Sequence, residues 1–163
     1  MSATRDIVAT YRRPGAVLRR LLGQGPREDR ALIFLVIGCL LVFVAQTPRL
    51  AREAFETEQD LGMLMGASLM AWLFIAPLLL YLLAGLTGVI GRVAGAGISA
   101  YGARLALFWA LLASSPLMLL WGLTSGFIGP GPEQTLVGVA WCVAFFWFWI
   151  AGLVAAAKDG RNG

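Results

Sequence analysis

The residue types that do most protein chemistry are either missing from this 163-residue chain or placed where they cannot act together. Histidine is absent, which removes the commonest general base, the commonest metal ligand and the usual near-neutral pH switch. The two cysteines, Cys39 and Cys142, lie in separate apolar runs without zinc-like spacing. Each reads as a small hydrophobe, and spacing alone leaves a disulfide between them open. No Walker sequence, no Gly-x-Ser-x-Gly and no pair of acids inside an apolar run occurs. No catalytic residue, metal ligand or cofactor is therefore assigned, and the chain reads as a non-enzyme. Gly91, Gly95 and Gly97 imitate a nucleotide-binding loop, but they follow an apolar span instead of a Rossmann strand and read as a turn. The polar residues left in or beside the apolar runs are Ser68, Thr87, Ser114, Ser115, Thr124 and Ser125. Such hydroxyls usually bond their own helix backbone.

Lipid is the environment that composition points to. The chain is 59% hydrophobic and 13% charged, about half the charge usual for a globular domain. Four apolar stretches are free of charge. The first, residues 31–46, is short for a bilayer core that needs roughly 20 residues; it extends back towards Glu28, and Pro48 is expected to end it. Residues 47–60 then form a loop. The second stretch, 61–91, would be about 46 Å long as one helix, against a hydrocarbon core of about 30 Å. It must tilt, kink or protrude, with Pro77 offering a kink and Gly85, Gly88 and Gly91 an early end. A glycine-rich loop, 92–104, leads to the third span, 105–124, with Pro116 in its middle. The breaker 126–132 precedes the fourth span, 135–157, which is dense in aromatics. The expected fold is an all-α integral membrane protein, a bundle of about four transmembrane helices with a short N-terminal amphipathic surface helix. Its parts are a basic cytoplasmic segment (1–30), the four-helix domain (31–157) and a cytoplasmic tail (158–163).

Charge orients the bundle. Lys and Arg divide eleven to two between the N-tail, second loop and C-tail on one side and the first and third loops on the other. That bias is expected to place both termini in the cytoplasm, and the composition, rich in Arg and Ala and poor in Lys, suits a bacterial inner membrane. The net charge of +4 comes from the first 30 residues, directly before an apolar run, so it reads as a topology signal and lipid contact and not as a nucleic-acid site. Thirty mixed residues before that run also argue against a cleavable signal peptide. Pro14 breaks any continuous helix there, leaving a short helix from about 14 to 23. Its apolar set, Val17, Leu18, Leu21 and Leu22, is expected to face the bilayer, with Arg12, Arg13, Arg19 and Arg20 among anionic headgroups.

Within the spans, Gly62-x-x-x-Gly66 and Gly122-x-x-x-Gly126 are spacings that let helix backbones approach. They serve packing inside the bundle or contact with a second copy or another membrane protein. Pro77 and Pro116 are expected to bend their helices. No charge lies inside a span, which argues against a proton-coupled carrier or charged-ring channel.

Arg104-Leu105-Ala106-Leu107-Phe108-Trp109, followed by Ser115-Pro116 and Gly126-Phe127-Ile128-Gly129, resembles the bacterial members of the YIP family, small polytopic proteins named for eukaryotic Ypt/Rab-interacting relatives. The likeness spans roughly residues 12–152. It implies a membrane protein without catalytic activity, related to a branch that takes part in vesicle traffic and membrane shaping. Family members commonly have five spans, against four here, and the acidic Tyr-Gly-Pro-type motif of the eukaryotic branch is lacking, so Rab binding does not follow. The function expected is membrane organisation or an accessory role through helix or lipid contacts. The alternative is a small transporter or channel component lined by the hydroxyls and proline kinks.

Overall fold

Hydrophobic runs this long have one local solution in lipid, the α-helix, because every backbone N–H and C=O must be bonded within the segment. The computed structural model describes residues 3–162, and seven α-helices follow one another among them: α1 (Ala3–Arg12), α2 (Pro14–Leu22), α3 (Glu28–Thr57), α4 (Leu61–Met70), α5 (Ala76–Val93), α6 (Ala100–Phe127) and α7 (Pro132–Asn162). A π-helical turn, Ala71–Ile75, joins α4 and α5 into one helix, Leu61–Val93. That helix together with α3, α6 and α7 makes four helices long and apolar enough to cross a membrane.

One of the prolines acts differently from expectation. Pro48 does not end the first span: α3 runs on to Thr57, and the expected loop shrinks to residues 58–60. A proline frees the carbonyl four residues before it, here that of Val44, and the Thr47 hydroxyl donates to that same oxygen at 2.8 Å. The last turns of α3 are further held by Arg49–Glu53 at 3.0 Å and Arg52–Glu56 at 2.7 Å, both four residues apart. Pro77, expected to kink its helix, lies within one that runs on past it. The π turn lies just ahead of it, with the Ala76 N–H bonded to the Ala71 carbonyl five residues back; the wider turn accommodates the ring and its missing donor. The helix neither stops at Gly85 nor at Gly88 and reaches Val93. Pro116 also lies inside an unbroken helix. The second connection is therefore only residues 94–99, and α6 starts at Ala100, where the Ser99 side chain accepts the Gly102 N–H at 2.9 Å.

α6 is the hub. Its apolar segment is 72% buried, against 39% for α3, 17% for α7 and 11% for Leu61–Val93. Small residues set its contacts. A Cβ added to Gly122 would overlap the Ala45 carbonyl of α3, and one on Gly126 would overlap Pro48. On the α7 side Gly102 meets Ala156, and Ala106 meets Gly152. Ala103 meets Gly88 of α5. Edge-on aromatic pairs fill the wider gaps, Phe34–Trp109 between α3 and α6 and Tyr81–Phe108 between α5 and α6, each at 4.9 Å.

Gly62 and Gly66 behave otherwise. Nothing lies within 4 Å of a Cβ added to Gly66, and Gly62 meets only Asp60 of its own N-cap. Of the two roles expected of this pair, packing inside the bundle falls to Gly122 and Gly126 alone: α4 stands away from α6, and Gly62 and Gly66 are left facing outward. The N-terminal segment is corrected as well. The structure adds α1, and it buries Val17, Leu18, Leu21 and Leu22 inside the protein at 1–7% exposure. Their apolar face rests on α6 and α7 because small residues there, Ala106 and Gly152, leave room for Leu18. Residues 158–162, within the expected tail, are helical and continue α7.

Gly122→Val should lower the thermal midpoint in detergent by the equivalent of about 1–3 kcal/mol, the usual cost of forcing methyl groups into a filled contact. Gly66→Val should leave that midpoint unchanged. Equal effects at the two positions in a thermal-unfolding comparison would refute this assignment of the contact face.

Candidate functional site

The charged residues gather at the two ends of the bundle, and the end carrying α1, α2 and residues 94–99 is the more elaborate. Three arginines build it. Arg30, at the start of α3, donates through Nη2 to the Leu21 carbonyl at 2.8 Å and to the Tyr101 hydroxyl at 3.1 Å, and through Nη1 to Gln24. One guanidinium thus ties the end of α2 to α3 and α6. Arg104 of α6 pairs with Glu28 of α3, its Nε lying 3.1 Å from the carboxylate. Arg20 of α2 pairs with Asp6 of α1.

α1 is fastened by its own buried polar contact. Trp109 donates its indole N–H to the Thr10 hydroxyl at 3.1 Å, and that hydroxyl donates to the Asp6 carbonyl at 2.7 Å. Thr10 is fully buried. Beside it the Tyr11 ring stands edge-on to Phe148 of α7 at 5.0 Å. Burial pushes the Tyr11 phenol above its ordinary pKa, because the phenolate would lose its hydration.

Between α1 and α2 lies an open groove of about 560 Å³, with Val8, Ala9, Ala16 and Val17 along its floor and Arg5, Arg12, Arg13 and Arg20 around it. Arg12 and Arg13 are exposed, as the sequence suggested. Arg20 is engaged by Asp6, and Arg19 is exposed but does not line the groove. Arg5, which sequence reading passed over, does line it. The signal for Arg5 was its seven-residue spacing from Arg12 along one helix face, obscured because no helix was expected there.

At the opposite end Arg52 reaches from α3 to the last turn of α6, its Nη1 lying 3.4 Å from the Gly126 carbonyl. Gly129, with φ of +94°, lets the chain turn against that guanidinium, where any side chain would overlap it. Cations at a helix C-terminus complement its dipole. Between the ends, two apolar crevices open on the flank of the bundle. One of about 250 Å³ separates Trp72 and Leu79 of the Leu61–Val93 helix from Trp141 and Phe145 of α7. The other, about 240 Å³, lies among Met118, Trp121, Gly138 and Trp141.

The hydroxyls that would line a transport path are not brought together. Thr87 donates to Leu83 and Ala84, Ser114 to Leu111 and Thr124 to Trp121, each three or four residues back in its own helix. Ser125 accepts from Gln134 at 3.0 Å, closing α6 against α7. Among the described residues no three His, Cys, Asp or Glu side chains gather as a metal site, and both cysteines are free, Cys39 buried and Cys142 exposed. No protein-family model, no curated protein and no solved structure matches this chain.

Replacing Arg30 by Met should loosen α2, since hydrogen bonds to a charged group contribute about 1.5–3 kcal/mol. Backbone hydrogen exchange over residues 14–22 should quicken by roughly tenfold or more, with a smaller effect for Tyr101→Phe. Unchanged exchange in the Arg30 variant would show that α2 is held by its leucines alone.

Proposed function

We propose that this protein is a non-enzymatic, multi-pass component of a bacterial inner membrane that acts through helix contacts with a second copy or another membrane protein, and through contacts with lipid. The observation that carries this reading is the use of the hydroxyls. Thr87, Ser114 and Thr124 each bond a carbonyl of their own helix, which leaves them poor ligands for a solute passing through. Charge supports it further, since none of the apolar spans carries an ionisable side chain other than tyrosine or cysteine. The YIP-like layout of the sequence agrees with a membrane-organising role.

The Leu61–Val93 helix is the surface offered for association. It is the least covered of the four, and Gly62 and Gly66 are open along its first turns. Close backbone approach at such residues is a common way for helices to join in lipid. The eleven-to-two division of basic residues orients the assembly with both termini in the cytoplasm.

Two measurements test this. Single cysteines, in a chain lacking Cys39 and Cys142, should be labelled by a membrane-impermeant thiol reagent from outside the inner membrane at positions 55 and 131. Positions 94 and 159, both exposed, should be labelled only after the membrane is opened; labelling of 159 from outside would overturn the orientation. In native nanodiscs, Gly66→Leu should shift the particle to smaller mass without changing its thermal midpoint. An unchanged mass, or solute flux through reconstituted vesicles that is blocked by substitutions at Ser114 or Thr87, would favour a transport role instead.

A further inference from the structure

We propose that the α1–α2 groove is a binding site for one anionic glycerophospholipid, with the phosphodiester held by Arg12, Arg13 and Arg20 and the glycerol and first acyl carbons laid over Val8. The proposal rests on the reading of the chain as membrane-embedded and assigns a ligand class to its basic end.

Position is the first argument. The α1–α2 pair does not float above the bundle. Thr10 is bonded to Trp109, five residues inward of Arg104 along α6, or about 7.5 Å at 1.5 Å per residue. Tyr11 rests on Phe148, ten residues inward of Lys158 along α7, or about 15 Å by the same rise. The connection carrying Arg12 and Arg13 is therefore set below the level of the charged helix ends, where headgroups meet acyl chains. Arginine at that depth needs an anion at hand or a path for its side chain back to water.

Charge is the second. Among the described residues no carboxylate lies within ion-pair distance of Arg5, Arg12 or Arg13, whereas Arg20 is paired with Asp6. Arg20 nonetheless leaves about a third of its side chain exposed at the groove. A phosphate oxygen supplies acceptors in the geometry that guanidinium groups prefer.

The floor decides between a lipid and a soluble anion. Val8 is 63% exposed although it lies on a helix docked to the bundle, and Ala9 and Ala16 continue the apolar strip. A free phosphate or a nucleic-acid backbone would leave this strip wet. A phospholipid presents an anion and hydrocarbon in the same order as the groove does.

The test uses the full chain, purified in mild detergent and examined by native mass spectrometry while lipids are added. Wild type should retain one phosphatidylglycerol at concentrations at least tenfold below those needed for phosphatidylcholine of the same chains. Arg12→Gln/Arg13→Gln should remove that preference, and Arg19→Gln, exposed and outside the groove, should keep it. Val8→Glu, which leaves every arginine in place, should also remove it. Thermal midpoints identify any variant that fails to fold, and the Val8 variant then decides alone. Retained preference in the double or the Val8 variant would overturn the site. Equal loss in Arg19→Gln would reduce it to bulk charge, and displacement of the lipid by millimolar glycerol 3-phosphate would make it a soluble-anion site; either result also overturns it. Loss of the lipid site with an intact Gly66-dependent particle mass would leave the association reading standing.

Discussion

Everything in this bundle hangs on how closely α3 and α7 can approach α6. Hydrocarbon chains are as apolar as leucine, so burying a leucine between two helices gains little in lipid; dispersion contacts and close packing must hold the helices together. Glycine permits this where it allows one backbone to lie on another. Gly122 and Gly126 bring α6 against the Ala45 carbonyl and Pro48 of α3. Gly102, Ala106 and Gly152 do the same for α7. With α6 enclosed on these faces, its large residues Phe108, Leu105 and Leu107 become fully buried, and the remaining helices are placed by what they can reach of it.

The same constraint explains why α1 and α2 belong to the fold. An amphipathic segment before a first span can lie on lipid or on protein, and its sequence reads alike in both cases. Here the protein side is favoured by a recess over Ala106 and Gly152 that admits Leu18, and by a tryptophan whose N–H is bonded only when Thr10 arrives. Satisfying a buried indole donor matters more than the apolar area involved, because an unpaired polar group in a dry site costs about 1–3 kcal/mol. Arg30 closes the arrangement by taking up the Leu21 carbonyl near the end of α2, where a short helix leaves acceptors unpaired.

How much of this could be read from sequence depended on whether the signal was local. The four spans were legible because long charge-free runs have one structural solution in a membrane, and Pro14 marked the start of α2 for a reason contained in proline itself. Pro48 misled because its effect is decided by a neighbour: Thr47 takes the freed Val44 carbonyl and lets the helix continue. The π turn before Pro77 was invisible for the same reason, being a relaxation of the backbone and not a residue preference. The two Gly-x-x-x-Gly pairs were equal in sequence and unequal in space, since spacing states what a face permits and the partner decides whether it is used. Of the candidate site, Arg12, Arg13 and Arg20 were legible from charge alone. Arg5 and the floor at Val8 were not, because they depend on α1 folding back across α2.

The unequal burial of the four spans is the last consequence. α6 is enclosed through its first half, from Tyr101 to Ser115, while the Leu61–Val93 helix touches α6 mainly through its second half, where Gly88 meets Ala103 and Tyr81 meets Phe108. Its first half is tied to the bundle through α3, and its start is capped by Asp60, whose carboxylate accepts the Met63 N–H at 2.8 Å. The π turn sits between these halves. A helix fixed at one end, interrupted by a wider turn and open at Gly66 has fewer packing contacts to lose if its first half shifts than α6 would have. In a bilayer the exposed Met63, Met70 and Phe74 cost little against lipid tails. What would favour a protein neighbour over lipid there is backbone approach, and Gly66 leaves room for it on the first half of this helix, as Gly85 does on the second, where Gly88 and Gly91 are already covered.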